Sequence, residues 1–210
     1  GSWSEILVQR VDERLGADGG YLRWTLTDRR YVALGARIVL AHRYLLQGVG
    51  AAAPPDELFR VQTSFKQEEG LGGAKTTRGI LKNRFAGRGM AIWNLELRWR
   101  AADFRLVGRD FHAVLSGFVD HGRVWVDDES SDVWHRGYGG GLWLSPFDLT
   151  VLTATLGYSD EGSLLGVGGT PEETVAELGF QTIALKFLII LAVMLPVYMA
   201  IWFAPALIVL

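Results

Sequence analysis

Over most of the chain, apolar and polar residues alternate with a period of two, which sets successive side chains on opposite faces of an extended strand. The clearest case is AIWNLELRWR, residues 91–100. There Ala91, Trp93, Leu95, Leu97 and Trp99 share one face, and Asn94, Glu96, Arg98 and Arg100 share the other. The pattern predicts strands near residues 3–11, 20–28, 33–47, 90–100, 109–119, 136–145, 150–158 and 173–180, with no ten-residue helical pattern among them. In the third, Ile38, Leu40, Tyr44 and Leu46 share a face with His42, opposite Arg37, Ala41, Arg43 and Gln47. Eight antiparallel strands fit this spacing. A soluble sandwich would turn the apolar faces inward and a barrel in lipid would turn them outward, and period alone does not choose.

The connections tilt the balance. Short ones (TDRRYVALG, RAADFRLVGR, SPFD) alternate with long ones: RLGADGG, residues 48–89, DHGRVWVDDESSDVWHR and SDEGSLLGVGGTPEE. Short turns at one end and long loops at the other are the habit of outer-membrane barrels. Composition agrees, because 26 Gly, 8 Trp and 6 Tyr suit strands, turns and interfacial rings. Charge decides little: Lys+Arg 21 against Asp+Glu 23 builds no general field for nucleic acid. The absence of Cys removes disulfides and thiolate metal sites.

The C-terminus differs in kind. From Phe187 to Leu210 there is no charged residue, which is long enough for a transmembrane helix, with Lys186 placed to snorkel and Pro196 and Pro205 to kink it. The expected division is a barrel portion, 1–181, and a hydrophobic helical tail, 182–210. Such a helix would favour the inner membrane during export, so it reads as a fused or misjoined segment, an extra anchor, or a helix packed on the barrel.

The stretch GLGGAKTTRGILKNRFAG, residues 70–87, invites a nucleotide-binding reading. A Walker loop puts glycine before the Lys-Thr pair and again five residues earlier, where this chain has Ala74 and Glu69, and no helical stripe follows. A solvated glycine-rich loop is the plainer reading, but its length argues for a function. His42, His112, His121 and His135 lack metal-ligand spacing. Asp127, Asp128, Glu129 and Asp132 read as a solvated acidic loop, and GYGGGLW, 137–143, as a strand thinned by glycine for close approach. No nucleophile with a base and an orienting group can be assembled, so neither an enzyme nor a cofactor is expected.

The run TTRGILKNRFAGRGMAIWNLELRWR resembles the signature of the bacterial surface antigen family, the C-terminal barrel of the outer-membrane assembly and translocation superfamily with its BamA- and TamA-type relatives. The likeness extends through RWTLTDRRYVALGARIVLAHR upstream and through GFVDHGRVW, GYGGGLWLSPFDL and LGYSDEGSLL downstream, covering about residues 3–180. Its motif is an Arg-Gly pair, then Asn83, Arg84, Phe85 and Gly87, then a strand carrying Asn94, Glu96 and Arg98. Thr77 and Ile80 depart from it, since a branched apolar residue and an aromatic are usual there.

The resemblance implies an all-β, antiparallel transmembrane barrel, with this chain as its C-terminal half, about eight strands of roughly sixteen. Residues 48–89 would fold back into the lumen, with Arg78, Gly79 and Ile80 at the tip and Glu96 and Asp120 as carboxylate partners of Arg78. Leu178, Gly179 and Phe180 would end the terminal strand beside a lateral seam. A half barrel would leave strand edges exposed, predicting incomplete closure, oligomers or aggregation. The implied partners are outer-membrane lipids, client outer-membrane proteins, periplasmic POTRA domains and accessory lipoproteins, with no nucleic acid. A passive outer-membrane pore, and a barrel anchoring an upstream patatin-like lipase domain, are the alternatives. A soluble binding sandwich is the more distant one.

Overall fold

The computed structural model describes residues 1–17, 19–64, 68–106, 108–126, 133–146, 152–160, 162–170 and 173–179. Its strands are β1 (Ser2–Val11), β2 (Tyr21–Ala33), β3 (Ile38–Val49), the two-residue β4 (Arg60–Val61) and β5 (Glu68–Glu69), β6 (Gly89–Leu106), β7 (Arg109–Trp125), β8 (His135–Pro146), β9 (Leu152–Ser159), β10 (Gly162–Thr170) and β11 (Glu173–Gly179). Two short 3-10 turns, Glu13–Leu15 and Pro55–Phe59, complete the regular structure, and no α-helix occurs among the described residues. The protein is all-β. Nine strands form one sheet in the order β1-β2-β3-β6-β7-β8-β9-β10-β11, while β4 and β5 pair with each other between β3 and β6. Pairing is antiparallel from β1 through β10.

Gly1–Glu177 forms one compact unit and Leu178–Leu210 a second. The apolar tail, 182–210, lies outside the described residues, as do Phe180 and the acidic cluster from Asp127 to Asp132. Among the described residues no helix is long and apolar enough to cross a membrane, which says nothing of strands.

Two expectations need correction. The sheet has nine strands rather than eight, because GSLLGVGGT, with four glycines, is not loop but β10, paired from Gly162↔Ser159 to Gly168↔Thr153. Glycine weakens a strand but leaves its backbone groups free to pair with a neighbour already in place. Two of the three segments read as short connections, TDRRYVALG and RAADFRLVGR, are also largely strand. β2 runs on to Ala33, and β6 and β7 stay paired as far as Leu106↔Arg109. In that hairpin Phe104 stacks on Phe111 at 5.3 Å and Arg105 faces Asp110, cross-strand pairs that outweigh the polar look of RAADFRL.

The two faces of the sheet are inverted relative to a soluble protein. Ile6, Val8, Leu22, Trp24, Tyr44, Leu46, Leu97, Trp99, Leu115, Val119, Tyr138 and Leu142 are exposed on one face, and Ile6 is 74% exposed. On the other face Arg23, Thr25, Thr27, Gln47, Glu96 and Asp120 are buried. That inner face is covered by the β3–β6 connection, and the core of Leu45, Val61, Leu71, Met90, Ile92 and Val124, with Phe85 against it, lies between the two.

The apolar outer band runs obliquely. One row of paired residues reads Ile6, Leu26, Leu46, Ala91 and then Arg123. Two same-face rows away the order reverses to Ser2, Arg30, His42, then Leu95, Val119, Tyr138 and Tyr158. Hydrophobicity therefore shifts along the strands from β1 to β9, with Val32 on β2 and Leu40 and Ile38 on β3 as exceptions.

Candidate functional site: the loop on the inner face

The connection 50–88 crosses the inner face and is fastened at two places. Near its start the sheet supplies the cation. Arg23 on β2, 1% exposed, donates through Nη2 to the Glu57 carboxylate at 2.6 Å and to the Glu57 carbonyl at 2.8 Å. Gln47 on β3 donates to the Arg60 carbonyl at 2.9 Å, and Glu5 on β1 accepts from the Ser64 N–H and hydroxyl, both at 2.8 Å. This part of the loop thereby lies along β1, β2 and β3.

Near the tip the loop supplies the cation. Arg78 Nε and Nη2 donate to the two oxygens of Asp120 at 2.8 and 2.9 Å, and its backbone N–H adds a bond of 2.9 Å to Oδ2. Arg78 Nη1 donates to Glu96 Oε2 at 2.5 Å, and the guanidinium lies 3.6 Å from the centroid of the Phe118 ring. The planar fork of arginine suits this two-carboxylate, ring-stacked arrangement in a way an ammonium does not. Burial works against the charge, but hydrogen bonding and attraction from Asp120, then Glu96, more than offset it and raise the arginine pKa. Glu96 is shared, since Arg98 donates to its Oε1 at 2.8 Å and in turn lies 4.3 Å from the Trp143 ring.

The tip turns against a wall without side chains. Gly79 has φ +91, and its carbonyl accepts from the Ser159 hydroxyl at 2.7 Å. A Cβ on Gly157 would come within 2.6 Å of the Gly79 nitrogen, and one on Gly137 would overlap the Arg78 carbonyl oxygen. Gly137 on β8 and Gly157 on β9 thus let the loop backbone approach closely, and Gly122 on β7 makes room for the side chains of Leu71 and Thr77. Behind the tip, Thr76 Oγ1 donates to the carbonyls of Gly70 and Gly72, and the Gly73 N–H to the Ile80 carbonyl. Ile80 and Thr77 are buried, and Thr77 Oγ1 has no hydrogen-bond partner, so the hydroxyl gains nothing over the branched apolar residue expected there.

The other motif residues support this turn. Asn83 takes φ +53 and its side chain accepts from the Gly70 N–H at 2.8 Å. Phe85 pairs with Leu71 through two backbone bonds of 3.1 Å and stacks on His135 at 3.7 Å, while exposed Arg84 lies 5.4 Å from the Phe85 ring. Gly87 passes so close to Trp125 that a Cβ would sit 2.5 Å from its carbonyl oxygen. Asn94 donates to the Thr76 carbonyl at 2.6 Å and accepts from Arg43 Nε at 2.9 Å, and Arg43 also donates to the Lys75 carbonyl. The structure therefore brings Arg78, Gly79, Ile80, Asn83, Phe85, Gly87, Asn94, Glu96, Arg98 and Asp120 into one loop-to-wall assembly. Leu178 and Gly179 end β11, away from it in sequence.

Arg23 and Glu57 escaped the sequence reading. Arg23 lies on the polar side of a strand whose other side is Leu22, Trp24 and Leu26, so its inward direction was readable, but its partner sits 34 residues away with no periodic signal. Among the described residues there is no metal-ligand cluster. No protein-family model, curated protein or solved structure matches this chain.

The Arg23–Glu57 contact has a definite pH dependence. Desolvation raises the Glu57 pKa, but the hydrogen bond and charge of Arg23, with Arg60, bring it below its ordinary value of 4.5. A depressed carboxylate pKa stabilises the fold above the unfolded-state value, and that contribution is lost as pH falls through the folded-state value. Limited proteolysis within 54–64 should be unchanged from neutral pH to about 5 and should accelerate below about 4. Glu57→Gln should show no such acid step of its own, and an unchanged step in that variant would refute the assignment.

Proposed function

We propose that this chain forms part of a transmembrane β-barrel of a bacterial outer membrane, of the bacterial surface antigen type, which aids insertion or translocation of other outer-membrane proteins. The observation that carries the reading is the inverted sheet with Arg78 of a folded-back loop held by Asp120 and Glu96 on its buried polar face. The oblique apolar band on the other face supports contact with lipid, since strands of a barrel are tilted. The motif residues from Arg78 to Arg98 support the family reading, because all of them but the exposed Arg84 have a contact in the loop-to-wall assembly.

In this reading the loop is a brace. It ties β1–β3 at Arg23 and β6–β9 at Arg78 and Gly79, holding the wall in one curvature while a client strand engages an edge elsewhere in the sheet. The edge near β11, with Leu178, Gly179 and Phe180, is the proposed seam, and POTRA domains or accessory lipoproteins would deliver clients to it. No covalent chemistry is involved. A passive pore fits less well, because the loop spends its hydrogen bonds on covering the face that would line a channel.

The full chain, reconstituted in phospholipid vesicles, should speed the folding of a urea-unfolded outer-membrane protein several-fold over empty vesicles, and Arg78→Ala should remove most of that gain. Ion conductance with no effect on client folding would favour the pore instead. A chain that stays soluble without detergent would overturn the membrane assignment.

A further inference from the structure

The outer face carries a recess of about 550 Å³, lined on that face by Tyr44, Leu46, Ala91, Trp93, His121, Trp134 and Arg136. It exists because Ala91 leaves a gap between larger neighbours: Leu46 pairs with it, and Trp93 follows it on the same face. Its walls are aliphatic and aromatic. Tyr44 stacks on Trp93 at 6.0 Å and 7°, and Trp93 lies 5.2 Å from His121. Its rim is different in chemistry. His121 and Arg136 are a cross-strand pair, and Arg123 is the next outward residue on β7 after His121. Arg136 is exposed and has no carboxylate partner among the described residues. An apolar slot closed at one end by an arginine and a histidine does not suit a soluble anion, which would leave the slot empty, or a neutral hydrocarbon, which would leave the guanidinium and imidazole unused. It suits one molecule with both parts.

We propose that this recess binds a phosphate-bearing anionic lipid, with an acyl chain along Leu46, Ala91 and Trp93 and the phosphate at Arg136 and His121. The inference rests on the membrane reading above. The position is consistent with it, because His121, Arg123 and Arg136 stand where the oblique apolar band gives way to polar residues on β7 and β8, the depth of a headgroup. A fork-like guanidinium can take two phosphate oxygens, and the aromatic side chains supply flat apolar contact beside it. The β7–β8 connection also carries Asp127, Asp128, Glu129 and Asp132, which lie outside the described residues. Pairing of one of these with Arg136 is the competing arrangement, and it predicts no preference for anionic lipid.

The test uses the full chain in neutral detergent, exchanged with phosphatidylglycerol and phosphatidylcholine of equal chain length, with retained lipid counted by native mass spectrometry. The wild type should retain phosphatidylglycerol roughly tenfold over phosphatidylcholine, whose choline offsets the phosphate charge beside Arg136. Arg136→Gln should abolish the preference while keeping residual lipid, and Ala91→Trp, which fills the slot, should lose both lipids. Inorganic phosphate at millimolar concentration should not displace the bound lipid. Equal retention of the two lipids, an unchanged preference in Arg136→Gln, or displacement by phosphate alone would overturn the proposal. A chain that takes up no lipid and remains soluble on removing detergent would instead point to failure of the membrane reading beneath it.

Discussion

Arg78→Ala should destabilise the folded chain by about 3–5 kcal/mol, because it leaves carboxylates buried without their counter-charge. The loss is not the net worth of an ion pair, which desolvation keeps small, but the cost of stranding Asp120, which is 0% exposed. The two acceptors should not respond alike. Among the described residues Asp120 accepts only from Arg78, through Nε, Nη2 and the backbone N–H, whereas Glu96 keeps Arg98 at 2.8 Å. In double-mutant cycles read by urea unfolding in vesicles, Arg78→Ala should therefore couple more strongly to Asp120→Ala than to Glu96→Ala, with about 2–3 kcal/mol against about 1 kcal/mol. Arg78→Lys should recover little, because one ammonium cannot span both carboxylates and lie flat on Phe118. Additive losses for Arg78 and Asp120 would mean that the contact does not hold the loop.

The sequence pattern and the structure agree where the argument is local. Alternation in AIWNLELRWR put Glu96 and Arg98 on one face and Trp93, Leu95 and Leu97 on the other, and that division is the one observed. Length and pairing were less legible. GSLLGVGGT has no apolar alternation to detect, since its glycines contribute only backbone, and it becomes a strand because β9 offers a partner two residues away. RAADFRL looks like a turn until Phe111 and Asp110 are seen opposite it. The tip contacts were reachable only through the motif, because Arg78 and Asp120 lie 42 residues apart and no periodicity links them. Arg23 and Glu57 have no motif to carry them, and only the fold places them together. Period reads the faces of strands, and the path of the folded-back loop decides which polar residues on the inward face meet.

Gly137→Ala should release the tip almost as completely as Arg78→Ala, although it removes no charge and no hydrogen bond. The new methyl would overlap the Arg78 carbonyl oxygen, a backbone atom that no rotamer change can move aside. The strand cannot yield either, because Gly137 is paired on one side with Asp120, the residue that anchors Arg78, and on the other with Ser159, whose hydroxyl holds Gly79. The backbone of Gly137 does not lie in the left-handed region, so alanine is conformationally acceptable there and the effect isolates lack of space from strain. Overpacking of this kind costs about 1–3 kcal/mol where neighbours can shift, and more here, where the loop must leave. Gly117→Ala is the control: it is on the outer face, its Cβ would meet nothing nearer than 4.0 Å, and its effect should stay within about 0.5 kcal/mol. Because Gly137→Ala and Arg78→Ala dislodge the same segment, the double variant should be little worse than either alone, both by urea unfolding and by the rate at which protease cuts between 74 and 88. Full additivity would place the glycine wall and the arginine in separate roles, with the tip held by Asp120 and Glu96 whether or not its backbone can lie against β8.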